Sequence, residues 1–190
     1  AENLMADEYV IAIPSTVQSS AVKQQITDAI ETTVLSVPAG DNVWLINATN
    51  NRTIEKFSVP DKKAYKYSKV RKKQFRKQFK KVDGSITVGA SEDVGKLLLP
   101  QFLNHISSQL FPKSLSESDK INVLLYGDAL YNDSRDAVFS MELGWFPSDG
   151  HIKQSQRGSI YGTLERGSIL NNFHIHFNYS NPAESWFSTR

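Results

Sequence analysis

The sequence predicts an α/β fold, a three-layer sandwich with helices on both sides of a doubly wound, mostly parallel central sheet. Three almost unbroken apolar runs, at 9–13, 42–47 and 121–126, have the composition of strands that are buried on both faces. Between the first two runs, residues 20–36 have the apolar periodicity of an amphipathic helix. Because a helix between two buried strands is the usual crossover between parallel neighbours, we expect a parallel sheet.

The helix after the first strand has clear boundaries. Apolar residues recur every four positions from Val22 to Val34, and either Ser19 or Ser20 is a suitable N-cap. The Pro-Ala-Gly-Asp sequence at 38–41 ends the helix.

The second strand is predicted to continue into a hairpin. Asn50 and Asn51 form a turn after the run at 42–47. The segment 53–59 then alternates apolar and polar residues, which is typical of an edge strand. This hairpin makes the edge strand the one antiparallel member of the sheet.

The basic segment, defined as residues 62–81, is predicted to form one helix with a single apolar face. Its composition favours a helix, and Asp83-Gly84 should end it. The apolar stripe consists of Tyr67, Val70, Phe75, Phe79 and Val82.

The rest of the chain is predicted in less detail. A short strand is expected at 85–88, and a helix is expected around Phe102 to Leu110. Pro100 would kink or divide any helix that began at Ser91. The residues at 129–170 read as a long irregular loop, and 173–179 reads as the last strand, so residues 1–190 form a single domain.

Composition limits the chemistry that the chain can carry. The chain has 190 residues, an ordinary hydrophobic share of 39% and no cysteine, which excludes disulfides, thiolate metal sites and cysteine nucleophiles. A start at Ala1 without Met would suit a signal-cleaved protein or a trimmed one, so we expect export to the periplasm or outside the cell slightly more than a cytoplasmic location.

Charge is distributed very unevenly along the chain. The basic segment holds eleven Lys and Arg residues and no acid, which leaves eleven basic against twenty acidic residues elsewhere, a net charge of about −9. Unbalanced cations of this kind favour an anionic partner: nucleic acid, acidic lipid or an acidic protein surface. The candidate binding residues are Lys69, Arg71, Lys72, Lys73, Arg76, Lys77, Lys80 and Lys81.

Aromatic residues within the basic segment allow two interpretations. Tyr65, Tyr67, Phe75 and Phe79 could stack on nucleic-acid bases. In the alternative, Phe75 and Phe79 face the core and the charges are simply solvated.

The order of elements resembles the von Willebrand factor type A (VWA) domain, best over residues 8–60 and 84–130. The resemblance rests on a strand followed by the Ser-rich turn at 14–20, the later Gly-Ala-Ser loop at 89–91, and a strand that ends in Gly127-Asp128. It implies a metal-ion-dependent adhesion site at the carboxyl edge of the sheet.

The metal ligands that the resemblance implies are incomplete. Ser15, Ser91 and Asp128 stand at positions of the family's ligands, but Ile13 or Pro14 replaces its first Asp. Since Mg²⁺ is held largely by carboxylates, we expect a degenerate site that binds Mg²⁺ weakly or not at all, and no other cofactor. Ser91 could instead cap a helix.

Two further groups are candidates. The aromatic stretch at 139–152 contains Trp145, Phe146 and His151, which could form a binding surface. In the alternative, the loop folds back and Trp145 and Phe146 pack into the core. His174 and His176 lie two apart in a strand, so they share a face and could bind a metal.

These features leave three functional hypotheses. The first is a non-catalytic protein-interaction module for adhesion or assembly, which binds another protein. An alternative is an accessory protein that binds nucleic acid or an anionic surface through the basic segment. The third is a metal-dependent hydrolase built on Asp128 and the two strand histidines. The sequence contains neither the Gly-x-Ser-x-Gly nucleophile elbow of hydrolases nor a phosphate-binding glycine loop. We therefore favour a non-catalytic function over an enzymatic one.

Overall fold

The structure, a computed structural model, describes residues 7–91, 93–111, 120–128, 131–133, 140–141, 148–153 and 169–179. The strands among these residues are β1 (Glu8–Ile13), β2 (Thr16–Val17), β3 (Asn42–Asn47), β4 (Arg52–Ser58), β5 (Thr87–Val88), β6 (Ile121–Gly127) and β7 (Phe173–Tyr179). The α-helices are α1 (Ser20–Ser36), α2 (Ser68–Gln74), α3 (Arg76–Ser85), α4 (Leu99–His105) and α5 (Asp149–Ile152). Short 3₁₀ helices occupy Lys63–Lys66 and Ile169–Asn172, and a π-helical turn occupies Ile106–Leu110.

The predicted α/β architecture is confirmed. The main sheet has the strand order β4-β3-β1-β6-β7, and β4 pairs antiparallel with β3 while the other neighbours run parallel. The short strands β2 and β5 pair with each other in parallel. This arrangement, with helices on the sheet, is compatible with a three-layer sandwich.

Two apolar clusters lie on opposite faces of the sheet. Successive side chains of β1 point to opposite faces of the sheet. Ile11 belongs to the cluster under α1, α2 and α3, whereas Val10 belongs to the cluster that contains residues of α4. Because β1 is covered on both faces, its residues from Val10 to Ile13 are fully buried.

The first helix follows the prediction closely. It spans Ser20–Ser36, and the Ser19 hydroxyl accepts a hydrogen bond from the Val22 amide at 3.2 Å, so Ser19 is the N-cap. Ile26, Ile30 and Val34 are buried against the sheet.

The single helix predicted for the basic segment is wrong. A 3₁₀ helix is followed by α2 and α3, which are separated at Phe75 with φ −93° and ψ 8°. Phe75 is buried, with its ring centroid 5.5 Å from that of Phe57 on β4. α3 continues through Asp83 and Gly84, which were predicted to end the helix.

The alternative in which Ser91 caps a helix is wrong. Ser91 Oγ accepts from the Asp93 amide at 3.3 Å within a turn, and α4 begins only at Leu99. Pro100 therefore lies in the first turn of α4, where its missing N–H costs nothing. Pro100 therefore divides no helix, and α4 continues directly into the π-helical turn that begins at Ile106.

One buried arginine attaches the basic segment to α1. Arg71 is only 3% exposed, and its Nη1 donates to the Leu35 carbonyl at 3.0 Å and to the Val34 carbonyl at 3.3 Å. Nη1 also donates to the Val37 carbonyl, while Nε donates to the Tyr65 carbonyl. These groups include the last carbonyls of α1, which lack partners within that helix.

The charge of Arg71 suits this position. The C-terminal end of a helix carries a partial negative charge, and α1 has no basic residue of its own in its last turn. Burial lowers the pKa of Arg71, while the nearby carboxylate of Asp41 acts in the opposite direction. Arg71 therefore stabilises the fold. The sequence analysis counted it among the residues that bind an anionic partner, but its burial keeps it from contacting one.

Replacing Arg71 with Met should lower the free energy of unfolding by about 3 kcal/mol, because buried carbonyls lose their donor. Arg71→Lys should restore little of it, since one ammonium cannot reproduce the planar fork of donors. Urea denaturation at neutral pH measures both variants. Arg76→Met is the matched control, because Arg76 is exposed on the adjoining helix; equal losses in Arg71→Met and Arg76→Met would contradict the anchoring role.

Among the residues that the structure describes, no helix is both long and apolar enough to span a membrane.

Candidate functional site

Several loops meet at the carboxyl edge of the parallel strands. Gly95 connects two of them, since its amide donates to the Thr16 carbonyl at 2.9 Å and its carbonyl accepts from the Asp128 amide at 2.6 Å. Thr16 follows β1 and Asp128 follows β6. The segments that were predicted to supply metal ligands are therefore neighbours at this edge.

The hydroxyl groups at this edge bond to other parts of the protein. The side chains of Ser15 and Asn47 bond to each other, with Asn47 Nδ2 donating to Ser15 Oγ at 2.8 Å. Thr49 Oγ1 accepts from the Ser15 amide at 3.0 Å and donates to the Lys96 carbonyl at 2.7 Å. These contacts join the loops after β1 and β3 to the loop that precedes α4.

Ser91 and Asp128 differ in their surroundings. Ser91 is exposed and its hydroxyl bonds within its own turn, while Asp128 is half-buried beside Gly95. The fold thus brings Ser15 and Asp128 to one edge, with Ser91 in the adjoining loop.

A lysine supplies positive charge at the same edge. Lys96 Nζ lies 3.2 Å from Asp93 Oδ1, and the Lys96 side chain is only 11% exposed. A nearby ammonium opposes the approach of a divalent cation. Within the described part of the chain, no three His, Asp or Glu side chains are placed to hold a metal ion. The described residues at this edge therefore place the Lys96 ammonium beside Asp93 and present no cluster of three acidic or histidine ligands.

Gly127 allows the loops to pack closely against the end of β6. A Cβ at this position would lie 2.6 Å from Leu97 Cγ and 2.7 Å from the Gly95 carbonyl oxygen. Gly95 is the residue that connects Thr16 and Asp128, so side-chain bulk at Gly127 would push that loop outward.

Gly127→Ala should therefore destabilise the protein by about 1–3 kcal/mol, as overpacking usually does. Thermal or urea denaturation measures this loss. Gly84→Ala is the control, because a Cβ at Gly84 meets nothing within 4 Å and alanine favours the surrounding helix. A Gly127→Ala variant as stable as the parent would show that the edge is not tightly packed.

The second candidate is an exposed basic surface on the 3₁₀ helix, α2 and α3. Apart from Arg71, every basic side chain of the segment is exposed. We define the basic surface as Lys62, Lys63, Lys66, Lys69, Lys72, Lys73, Arg76, Lys77, Lys80 and Lys81.

Few of these cations pair with acids. Within the described residues, Lys72 pairs with Glu31 and Lys81 with Glu55. Both lysine side chains stay more than half exposed, at 65% and 61%. Burial acts to raise the pKa of Glu55, but hydrogen bonds from Lys81, the Lys56 amide and Gln78 outweigh it and lower that pKa. The other cations of the basic surface have no acidic partner among the described residues.

The aromatic residues of the basic segment divide into two groups. Phe79 stacks on Phe57 with ring centroids 5.4 Å apart, and Phe75 contacts the same ring. The alternative in which these two residues face the core is therefore correct. Tyr65 is partly buried against the same cluster, whereas Tyr67 is 63% exposed.

A groove of about 380 Å³ separates α1 from α2 and α3. Asp28 and Glu31 line its α1 side, and Lys72, Arg76 and Lys80 line the other side. Asp83 on α3 also lines the groove, so acidic and basic side chains are mixed there.

The strand histidines do not join the carboxyl edge. His174 and His176 are exposed on the edge strand β7, and His176 is in register with Leu124 on β6. Asp128 lies four residues further along, a rise of about 13 Å, so these groups do not converge on one metal.

The aromatic stretch at 139–152 is described only in part. Trp145 and Phe146 lie outside the described residues. His151 is half-buried in α5, with Nδ1 3.1 Å from Ser148 Oγ.

Comparison of the chain with protein-family models, with curated proteins and with solved structures found no match. The resemblance to VWA domains therefore stays a prediction.

Sequence reasoning missed Asn47 and Thr49, whose side chains join the loops at the carboxyl edge. It placed Gly127 at this edge but assigned no packing role to it, to Gly95 or to Lys96. The polar Asn47-Ala48-Thr49 sequence directly after a buried strand was a usable signal. Nothing in the local sequence marks the Lys96 carbonyl as the acceptor for Thr49, since their contact spans 47 positions.

Proposed function

We propose that the chain is a non-catalytic protein-interaction domain of VWA type, which binds its partner without a divalent cation. The observation that carries the second part is that Ser15, one of the predicted ligands, is hydrogen-bonded to Asn47 at the end of β3. Ile13 or Pro14 stands where the family has its first metal-binding acid.

The arrangement of the sheet supports the VWA part of the proposal. β1 is central, β3 and β6 flank it in parallel, and β4 returns antiparallel at one edge. The loops after β1 and β6 meet at the carboxyl edge, which is where open α/β sheets place ligand sites. We therefore assign the partner-binding face to this edge.

Charge at the edge supports binding without a metal. Asp128 is an acid at this position, but Lys96 already contributes an ammonium nearby and pairs with Asp93. The hydroxyl of Thr49 donates to the Lys96 carbonyl and accepts from the Ser15 amide, so it already has a structural role at this edge.

Titration calorimetry with Mg²⁺ and Mn²⁺ should give no saturable heat, and proteins captured on the immobilised domain should stay bound in EDTA. The matched variant is Asp128→Asn, which removes the one acid of the predicted ligand set. Saturable heat in the parent that disappears in Asp128→Asn, or release of the partner by EDTA, would contradict the proposal.

A second candidate function is binding of an anionic partner through the basic surface. The specific observation is that ten exposed cations lie along three consecutive short helices while only Lys72 and Lys81 pair with acids among the described residues. Crowded like charges repel each other, so a polyanion that neutralises them binds favourably.

Heparin, a polyanion without bases, tests this candidate directly. Its affinity should fall steeply with salt, and changing Lys69, Lys73, Arg76 and Lys77 to Gln should weaken binding at least about tenfold and flatten the salt dependence. We call this protein the four-charge variant. Fluorescence anisotropy of labelled heparin over a salt series measures both effects.

The control removes the same number of charges from other surfaces, by changing Arg52, Lys56, Lys120 and Lys153 to Gln. These residues are all exposed, and Lys56 lies on the opposite sheet face, over the Trp44 ring. Equal loss of binding in both proteins would mean that net charge alone, and not the basic surface, attracts the polyanion.

A further inference from the structure

We propose that the basic surface binds single-stranded nucleic acid, and that Tyr67 stacks on one of the unpaired bases. This inference rests on the second candidate function, the binding of an anionic partner by the basic surface.

Tyr67 presents an exposed ring from a fixed position. Its side chain is 63% exposed, and within the described residues no ring contact holds it. Its carbonyl accepts from the Val70 amide at 3.0 Å and from the Arg71 amide at 3.3 Å. Because Arg71 is itself buried, the backbone under the ring is tied to the core.

Four exposed cations flank Tyr67 in the sequence. Lys63 and Lys66 precede Tyr67 on the 3₁₀ helix, and Lys69 and Lys73 follow it on α2. All four side chains are exposed and have no acidic partner among the described residues. Proteins that bind single-stranded nucleic acid commonly combine positively charged residues with exposed aromatic rings. The cations contact the phosphates, and a base stacks on the ring.

Competing anionic partners account less well for these features. A membrane surface would require a broad apolar face on the helices, but Phe75 and Val82 are buried in the core, which leaves Tyr67 and Val70 outside. A duplex has its bases stacked internally, so phosphate contacts alone would leave the exposed ring of Tyr67 without a role.

Fluorescence anisotropy of fluorescein-labelled dT12 at low salt tests the inference. The parent protein should bind dT12 more tightly than the dT12·dA12 duplex. Tyr67→Ala should weaken binding to dT12 about tenfold, whereas Tyr67→Phe should bind like the parent because the stacking face is kept. The four-charge variant should lose affinity for both nucleic acids.

Salt dependence and heparin separate stacking from charge. Tyr67→Ala should leave the slope of log affinity against log salt unchanged and should bind heparin like the parent, while the four-charge variant should lower both slope and heparin affinity. Ile175→Ala is the matched control for loss of an exposed apolar side chain, because Ile175 is 42% exposed on β7. This control should bind dT12 like the parent.

The outcomes distinguish the inference from the function under it. If the four-charge variant binds heparin more weakly but Tyr67→Ala binds dT12 like the parent, the stacking role of Tyr67 is wrong. In that case anion binding by the basic surface is still supported. Tighter binding to phosphatidylserine vesicles or to the duplex than to dT12 would overturn the choice of a single strand. Unchanged heparin and dT12 binding in the four-charge variant would overturn both.

Discussion

The buried guanidinium of Arg71 is the interaction on which the arrangement of the basic segment depends. It bonds to carbonyls at the end of α1 and thereby supplies the cation and the donors that this helix end lacks. Phe75 and Val82 complete the attachment to the core. While these side chains are buried, the ten remaining cations of the segment are exposed to solvent. The buried Arg71 thus attaches the exposed charges to the core.

The carboxyl edge differs from the basic surface. Its polar side chains form hydrogen bonds to one another and to the loop backbone, whereas the cations of the basic surface face solvent. Ser15 and Asn47 form a pair, Thr49 reaches the Lys96 carbonyl, and Gly95 connects two loops. These hydrogen bonds connect the loops after β1 and β3 to the loop that precedes α4. If this edge binds a protein, shape and hydrogen bonding would provide the affinity, whereas the basic surface would act through long-range charge.

Local periodicity explains which elements were predictable. The strand at Asn42–Asn47 and the helix at Ser20–Ser36 were predicted with their observed bounds, because apolar spacing and capping residues act over a few positions. The break at Phe75 was not predicted. Phe75 packs on Phe57 of β4, a contact between residues distant in sequence that local spacing does not reveal. The carboxyl edge was predicted from strand ends, but the bonding partners of its hydroxyls were not.

The sequence by itself determined the α/β architecture, the concentration of positive charge at 62–81 and the lack of an acid after the first strand. Only the tertiary structure decided which cation faces inward and which aromatic ring faces outward. Arg71 and its neighbour Lys72 differ little in local sequence, yet only Arg71 lies against the carbonyls that end α1. Tyr67 and Phe75 likewise belonged to one apolar stripe. Burial depends on what another element places opposite a residue, which spacing along one segment cannot specify.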